Sequence, residues 1–298
     1  IPVLTIGGVF VPLGGGCGDV VWDWCHDPVF HKVASLAQDY GARVRIYLQT
    51  HCPCSDLFDH HPYVHEVIET PWRLPNAEDT HRWNHPDQEG FIPVSRNDLL
   101  HQVGVRGLRL RPNEVHLSEE ERALVHRLVA KRPCVVAQPY AGLSDRDGFD
   151  SAAIARLALD LHALDRGTNF LVLGKNHDRG HKYNIELCAG DLPGTTSLID
   201  QLGIRVAYHV VALCDAFVGA HSNLIRAAWD HRRRTALVVP DPLMTRHLPT
   251  LDPKYIYGMA YPENRTFTYP FDPHCSPPIE RRFDLLDCGA LAQFLLRG

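Results

Sequence analysis

The sequence predicts an α/β protein with two Rossmann-type βαβ domains in one chain. Apolar segments rich in β-branched residues alternate with segments of helical periodicity, which is typical of a parallel sheet with crossover helices. This alternation begins again after Arg132-Pro133, and 298 residues are enough for two domains. We therefore expect an N-terminal domain over 1–132 and a C-terminal domain over 133–283. A terminal helix over 284–298 could pack back on the N-terminal domain.

The elements of the N-terminal half are predicted from hydrophobic periodicity and from helix-end signals. The predicted strands are Val3–Val11, Arg43–Leu48 and Val64–Glu69, and the predicted helices are Asp27–Tyr40, Asn97–Val103 and Ser118–Lys131. Gly41 follows the first helix, as expected for a C-terminal glycine. Ser118 and the three glutamates after it resemble a capping box. Outside the second helix, residues 70–115 show no regular pattern.

The C-terminal half repeats the alternation of predicted strands and helices. The predicted strands are Cys134–Ala137, Asn169–Gly174, Ala216–Gly219 and Thr235–Pro240, and the predicted helices are Ser151–Asp165, Leu198–Gly203, Arg205–Cys214, Ser222–His231 and Asp284–Leu296. Residues 241–280 are rich in proline and are predicted to be irregular. The run Arg232-Arg233-Arg234 follows a predicted helix. We expect its side chains to be solvated, with charges that suit the C-terminal end of the helix dipole.

Composition narrows the class of protein. Hydrophobic residues make up 45% of the chain and charged residues 22%, as in globular proteins. A net charge of -5 provides no general attraction to nucleic acid or to an anionic membrane. The sequence shows neither an apolar run of membrane-spanning length nor a secretory leader. Nine scattered cysteines, an odd number, indicate reduced thiols and a cytoplasmic location.

Cysteine and histidine residues cluster in the first 61 residues, at Cys25-His26, His51-Cys52-Pro53-Cys54 and His60-His61. The spacing matches no common zinc module, in which paired cysteines are usually separated by two to four residues. We interpret the cluster as a histidine-rich surface loop, and we predict that the protein has no metal site.

A glycine-rich segment follows the first predicted strand and ends at Asp19. Glycines allow a sharp turn and a close approach of the backbone to a ligand. An acid at such a turn can face a cleft, or it can simply cap the helix that follows. The segment alone does not decide between these two interpretations. It is not a P-loop, because it lacks the Gly-Lys-Ser/Thr sequence.

Four motifs, in the right order, resemble the ADP-heptose:lipopolysaccharide heptosyltransferase family of GT-B glycosyltransferases. They are Gly16-Cys17-Gly18-Asp19-Val20-Val21, His61–Ile68, Val135–Ala141, and Leu198–Ala228 with Val218-Gly219-Ala220-His221-Ser222-Asn223 at its centre. The resemblance extends over nearly the whole chain. It implies a GT-B-like fold with two Rossmann-like domains that face each other across a cleft.

The chain departs from the pattern of this family in the donor-site segment and at a lysine position. The family usually has Asp-Ser/Thr-Gly before the donor-site helix and a histidine within that helix. This chain has Gly219-Ala220-His221 instead, and Leu224 lies near the position of the histidine. The lysine after the first loop of the second domain is replaced by Ser144–Asp147, where Arg146 could substitute for it. The sugar donor therefore need not be ADP-heptose.

The resemblance implies an inverting glycosyltransferase that moves a sugar from a nucleotide-diphosphate sugar to an acceptor hydroxyl. Asp19 would be the general base, after the turn formed by Gly16 and Gly18. The start of the helix after Gly219 would hold the diphosphate through its N–H groups. The candidate donor-binding residues are Gln138, Tyr140, Arg146, Lys175, His177, His221, Ser222, Asn223 and Arg226. No cofactor is expected, because the nucleotide sugar is a co-substrate, and protein cations would take the place of a divalent metal.

Other functions remain open on the sequence. One is a nucleotide-sugar epimerase with the same fold, and another is a non-catalytic relative that binds a nucleotide or a glycan. The acceptor of a transferase could be a glycan, a lipid-linked sugar, a protein or a modified nucleobase. The irregular regions 70–115 and 241–280 are where acceptor specificity would lie, because loops carry specificity on a rigid scaffold.

Overall fold

A computed structural model describes residues 8–15, 43–50, 54–62, 64–70, 91–93, 115–139, 151–174, 192–220, 223–240, 264–269 and 286–297. The chain divides into two compact units, Ile1–Ser118 and Glu119–Gly298. The division lies ahead of the predicted boundary at 132/133, so that one helix belongs to the second unit rather than the first.

The described part of the first unit contains a four-stranded parallel sheet. Its strands are β1 (Gly8–Gly15), β2 (Arg43–Thr50), β3 (Val64–Thr70) and β4 (Phe91–Pro93), and a 3-10 helix spans Ser55–Phe58. The strand order is β3-β2-β1-β4, with every pair parallel. Ile46 and Leu48, which alternate on β2, are fully buried.

The predicted strands over 43–48 and 64–69 are confirmed. Strand β1 continues further than predicted, because Gly14 and Gly15 pair with residues 49 and 50 of β2 and are held extended by that ladder. Strand β4 was not predicted, since it is only three residues long and ends in proline. It lies at the edge of the sheet, where proline is tolerated. The predicted helices over 27–40 and 97–103 lie outside the described residues.

The second unit contains a six-stranded parallel sheet and the helices that cover it. Its elements are α1 (Glu119–Leu128), β5 (Cys134–Gln138), α2 (Ser151–Leu164), β6 (Asn169–Val172), β7 (Thr195–Ser197), α3 (Ile204–Leu213), β8 (Ala216–Gly219), α4 (Asn223–Asp230), β9 (Arg234–Pro240), β10 (Asn264–Tyr269) and α5 (Cys288–Arg297). The strand order is β10-β9-β8-β5-β6-β7, again with every pair parallel.

The prediction of a helix over Leu198–Gly203 was wrong. The Leu198 N–H donates to the Val172 carbonyl at 2.8 Å, which extends the ladder between β6 and β7 by one residue. A turn follows, in which Asp200 has a φ of 60°. Strands β7 and β10 were not predicted, because their sequences are short and polar. Tertiary pairing therefore decides the structure of these segments.

Helix α1 joins the second unit because it packs on α3. Arg205 on α3, whose side chain is 9% exposed, forms an ion pair with Glu121 on α1, whose side chain is 23% exposed. A charged side chain this deeply buried requires a partner. The sequence prediction, which grouped this helix with residues 1–132, did not contain that contact.

One face of the second sheet forms a continuous apolar core with helices α2 and α5. The sheet residues in this core alternate along each strand, as the pleat requires; they are Val135, Ala137, Phe170, Val172, Ala216, Val218, Ala236 and Val238. The Cys288 thiol donates to the Ala153 carbonyl at 3.7 Å, which joins α5 to α2. The terminal helix therefore packs on the second unit, and the expectation that it packs back on the N-terminal domain stays a prediction.

Helix α2 provides a matched pair for testing this core. Leu157 is fully buried in it, whereas Leu159 on the same helix is 50% exposed. We expect Leu157→Ala to lower the free energy of unfolding by about 2–5 kcal/mol, because it leaves a cavity in a closely packed layer. Leu159→Ala should change it by less than about 0.5 kcal/mol. Urea unfolding followed by circular dichroism measures both, and equal losses would contradict the assigned packing.

Candidate functional site

The second sheet has a topological switch point between β5 and β8. From β5 the chain continues through β6 and β7 on one side of the sheet, then returns to β8, β9 and β10 on the other. The connections on the two sides therefore diverge at the carboxyl ends of β5 and β8. In open α/β sheets this divergence leaves the crevice in which ligands bind.

Gln138 and Gly219 meet at this switch point. They are the last residues of β5 and β8 and are register partners. The Ala220 N–H donates to the Gln138 carbonyl at 3.2 Å, which keeps the two chains together just beyond the strands. Gln138 is buried, with 9% of its surface exposed. The structure thus places one predicted donor-binding residue at the crevice.

Gly219 is required by the close approach of the two strands. A Cβ atom at this position would lie 2.9 Å from the Gln138 carbonyl oxygen and 2.9 Å from the Phe217 ring. Real Cβ atoms do not come this close to such atoms, so any larger residue would force β5 and β8 apart. Helix α4 begins soon afterwards, at Asn223.

The helix start after β8 suits an anion. The first turn of an α-helix has N–H groups without intrahelical partners, and the dipole adds partial positive charge there. The helix carries no acidic residue in its first turn. Asn223 and Arg226 lie on this helix, as predicted, whereas His221 and Ser222 lie outside the described residues.

A third strand ends at the same edge. Strand β6 leads to Gly174, whose carbonyl accepts the Asp200 N–H at 2.9 Å. The loop after β7 is thereby held against the end of β6. Lys175 and His177 follow Gly174 in the sequence. Four predicted residues, Tyr140, Arg146, Lys175 and His177, lie outside the described part of the chain.

The first sheet has its own switch point, between β1 and β4. Strands β2 and β3 lie on one side of β1, and β4 lies on the other. Strand β1 ends at Gly15, directly before the predicted glycine turn. Gly16, Gly18 and Asp19 lie outside the described residues. Their predicted roles rest on the sequence and on this position in the chain order.

The opposite, amino-terminal edge of the second sheet carries a polar network that the sequence analysis missed. Asp215 Oδ2 accepts the Cys134 N–H at 2.7 Å, and the Asp215 N–H donates to the Cys134 carbonyl at 2.9 Å. Asp215 also forms an ion pair with Arg132 at 2.8 Å. Its carboxylate raises the pKa of the Arg132 guanidinium. The only sequence signal for this network was an aspartate between a predicted helix and a predicted strand.

The cysteine thiols beside this network are not reactive nucleophiles. Burial raises the pKa of the Cys134 thiol to about 12, and burial also raises the pKa of Cys214. A thiol with a raised pKa stays protonated near neutral pH and is a poor nucleophile. The four described cysteines, Cys54, Cys134, Cys214 and Cys288, are buried and form no disulfide.

The arginine run is more ordered than predicted. Arg233 Nε donates to the Ala212 carbonyl at 2.7 Å, and Arg234 Nη1 donates to the Leu295 carbonyl at 2.8 Å. These carbonyls lie in the last turns of α3 and α5. The two arginines therefore bind the C-terminal ends of two other helices, in addition to following α4.

Within the described residues, no group of three histidine, cysteine or acidic side chains could hold a metal ion. His61 is buried, and its ring meets that of His116 edge-on with centroids 5.0 Å apart. The predicted absence of a metal stays a prediction, since His51 and Cys52 lie outside this part of the chain. No helix in the described ranges is long and apolar enough to cross a membrane.

No protein-family model and no curated protein sequence matches the chain. The chain is similar to the solved structure of E. coli ADP-heptose LPS heptosyltransferase II, with 16% identity, a TM-score of 0.55, and coverage of 87% of this chain and 89% of that one. It is similar to the glycosyl transferase family 9 protein from Veillonella parvula, with 10% identity, a TM-score of 0.57, and 90% and 88% covered. For E. coli heptosyltransferase WaaC with ADP, the identity is 11%, the TM-score 0.51, and the coverage 88% and 93%.

These likenesses establish the fold. The protein has the GT-B-like α/β fold, with two Rossmann-like units in one chain. The solved structures that share this fold include heptosyltransferases, the family that the four sequence motifs resemble.

Gly219→Ala tests the close approach at the crevice. We expect it to lower the free energy of unfolding by about 1–3 kcal/mol, because the added methyl group would overlap backbone and ring atoms. Gly289→Ala on α5 is the control, since its Cβ would make an ordinary 3.5 Å contact. That change should be neutral or should stabilise the helix by up to about 1 kcal/mol. Thermal unfolding measures whether each substitution lowers or raises the stability. Equal effects of the two substitutions would contradict the close approach at Gly219.

Two substitutions of Asp215 separate its hydrogen bond from its charge. Asp215→Ala removes the acceptor for the Cys134 N–H and should cost about 1–3 kcal/mol of unfolding free energy. Asp215→Asn keeps an acceptor oxygen and loses only the ion pair. The side chains of that pair are 47% and 42% exposed, so it contributes little. Chemical unfolding should show that the alanine variant is clearly less stable than the asparagine variant, with Asp160→Asn on helix α2 as the control. Equal losses would mean that charge, not the acceptor, matters.

Proposed function

We propose that the protein is an inverting glycosyltransferase that moves a sugar from a nucleotide-diphosphate sugar to an acceptor hydroxyl. The observation that carries this proposal is the switch point between β5 and β8, where Gln138 and Gly219 meet ahead of the first turn of α4. That geometry suits a nucleotide diphosphate, because the two strands come close together and the helix start has N–H groups available to an anion. The likeness of the fold to heptosyltransferases supports the same reaction class.

The diphosphate would be held at the start of α4. His221, Ser222 and Asn223 would add hydrogen-bond donors there, and Arg226 would add positive charge. Lys175 and His177, which follow the end of β6, would contact the nucleotide. Arg146 would replace the lysine that the heptosyltransferase pattern leads one to expect. Positive groups at these positions would stabilise the departing diphosphate, and this is the usual way in which such a site accelerates transfer.

Asp19 would serve as the general base. It follows β1 in the sequence, and β1 lies at the switch point of the first sheet, where ligands bind in open α/β folds. The acceptor oxygen attacks the anomeric carbon as the bond from that carbon to the phosphate oxygen breaks. Asp19 takes the acceptor proton, and the nucleoside diphosphate leaves with the bonding electrons. No metal or other cofactor is part of this proposal.

The donor should be identified first. Thermal-shift measurements with ADP, GDP, UDP, CDP and their sugars should show a rise in Tm of a few degrees for one nucleotide at about 100 times its Kd. Asp19→Ala should bind the same nucleotide equally well, because the base does not hold the donor. Absence of a shift with every nucleotide would overturn the proposed function.

The base is tested once the donor is known. Asp19→Ala should lower the rate of sugar transfer by about 10²–10⁴-fold, the usual contribution of a general base. Asp23→Ala, which removes an acid four residues further along the chain, should retain activity. Equal activities would remove Asp19 from the mechanism. Nucleotide binding without turnover would favour a non-catalytic relative, and a changed sugar with donor alone would identify an epimerase.

A further inference from the structure

We infer that Arg233 is a positioning residue that sets the direction of α4, so that the first turn of this helix is held at the crevice between β5 and β8. This inference rests on the proposed function for its consequence in ligand binding. Its structural part concerns α4 alone, and it can be tested without a ligand.

Helix α4 depends on tertiary contacts for its stability and direction, because it is short. It spans eight residues, Asn223–Asp230. At 1.5 Å per residue such a helix is about 12 Å long, and a helix of this length is marginal without tertiary contacts. Its first turn is connected to the end of β8. Its direction therefore depends on what holds its far end.

The far end of α4 closes with hydrogen bonds that fix the Arg233 backbone. The Arg232 N–H donates to the Trp229 carbonyl at 3.1 Å, and the Arg233 N–H donates to the Ala228 carbonyl at 2.8 Å. Arg232 has a φ of 54°. These are the bonds of a Schellman motif, in which the residue in the left-handed region turns the chain out of the helix. Arg233 thus has a fixed position relative to α4.

From this position the Arg233 side chain reaches α3. Its Nε donates to the Ala212 carbonyl at 2.7 Å. That carbonyl is in the last turn of α3, where a cation also meets the negative end of the helix dipole. Helix α3 is itself firmly placed, because most of its residues are buried and Arg205 pairs with Glu121 on α1. Arg233 therefore connects the end of α4 to a neighbouring helix that is mostly buried.

A ring contact supports the same arrangement. The His231 ring, at the end of α4, meets the Tyr208 ring of α3 edge-on, with centroids 5.9 Å apart. The apolar side of α4 is buried through Leu224, Ile225 and Trp229. Apolar packing resists separation but tolerates sliding better than a directional bond does. The hydrogen bond from Arg233 to the Ala212 carbonyl is directional, and it therefore limits such sliding of α4 along α3.

The adjacent arginine provides a matched control. Arg234 Nη1 donates to the Leu295 carbonyl at 2.8 Å, which is in the last turn of α5. Arg234→Gln and Arg233→Gln each remove one arginine–carbonyl bond of similar length and one charge. Only Arg233 connects to the neighbour of α4. A general loss of stability would appear in both variants, whereas a change in the direction of α4 would appear in one.

The experiment compares Arg233→Gln, Arg233→Lys, Arg234→Gln and wild type by amide hydrogen exchange and by nucleotide binding. Arg233→Gln should accelerate exchange in the peptide over Gly219–Ile225 by about tenfold relative to Arg234→Gln. It should also weaken binding of the nucleoside diphosphate found by thermal shift by roughly threefold to tenfold. Arg233→Lys, which keeps a cationic donor, should restore part of both effects.

The outcomes separate this inference from the proposed function. If wild type binds no nucleotide, the proposed function fails, and hydrogen exchange alone decides the inference. Equal exchange in the Arg233→Gln and Arg234→Gln variants would overturn it, as would faster exchange spread evenly over β8 and β9. A local exchange effect with unchanged nucleotide affinity would overturn the link to the crevice.

Discussion

The pairing of β5 with β8 is the constraint on which the second unit depends. These strands are buried at the centre of the sheet, and each side of the sheet is built outward from one of them. Their close approach requires Gly219, because a Cβ atom there would meet the Gln138 carbonyl. The same pairing creates the divergence of connections at the carboxyl edge. Stability and the candidate ligand crevice therefore have a common origin.

The two edges of this sheet have different tasks. At the amino-terminal edge, Asp215 joins the starts of β5 and β8 through reciprocal hydrogen bonds with Cys134, and arginines bind the ends of α3 and α5. These bonds hold the scaffold. At the carboxyl edge β5 and β8 end in Gln138 and Gly219, β6 leads to Gly174, and loops and the first turn of α4 follow. Loops on a rigid scaffold are where ligand contacts can vary without loss of the fold.

The first sheet follows the same rule with fewer strands. Its order, β3-β2-β1-β4, again puts the first strand beside a strand from later in the chain. The glycine segment before Asp19 thus continues from a switch point, just as the segment before Asn223 does in the second sheet. The same topological position therefore precedes both of these sequence motifs, although they lie far apart in the chain.

The sequence by itself determined the strands and helices with strong apolar patterns, such as β2, β5, α2 and α3, because an apolar run or an amphipathic period is a local signal. It also determined the motifs that resemble heptosyltransferases. Only the tertiary structure decided β7, β10 and the turn at Leu198, whose polar residues become ordered by pairing with a neighbouring strand. It alone decided that α1 and α5 belong to the second unit and that Asp215 and Arg233 are structural. The reason is that such contacts join residues far apart in the chain, which local patterns do not record.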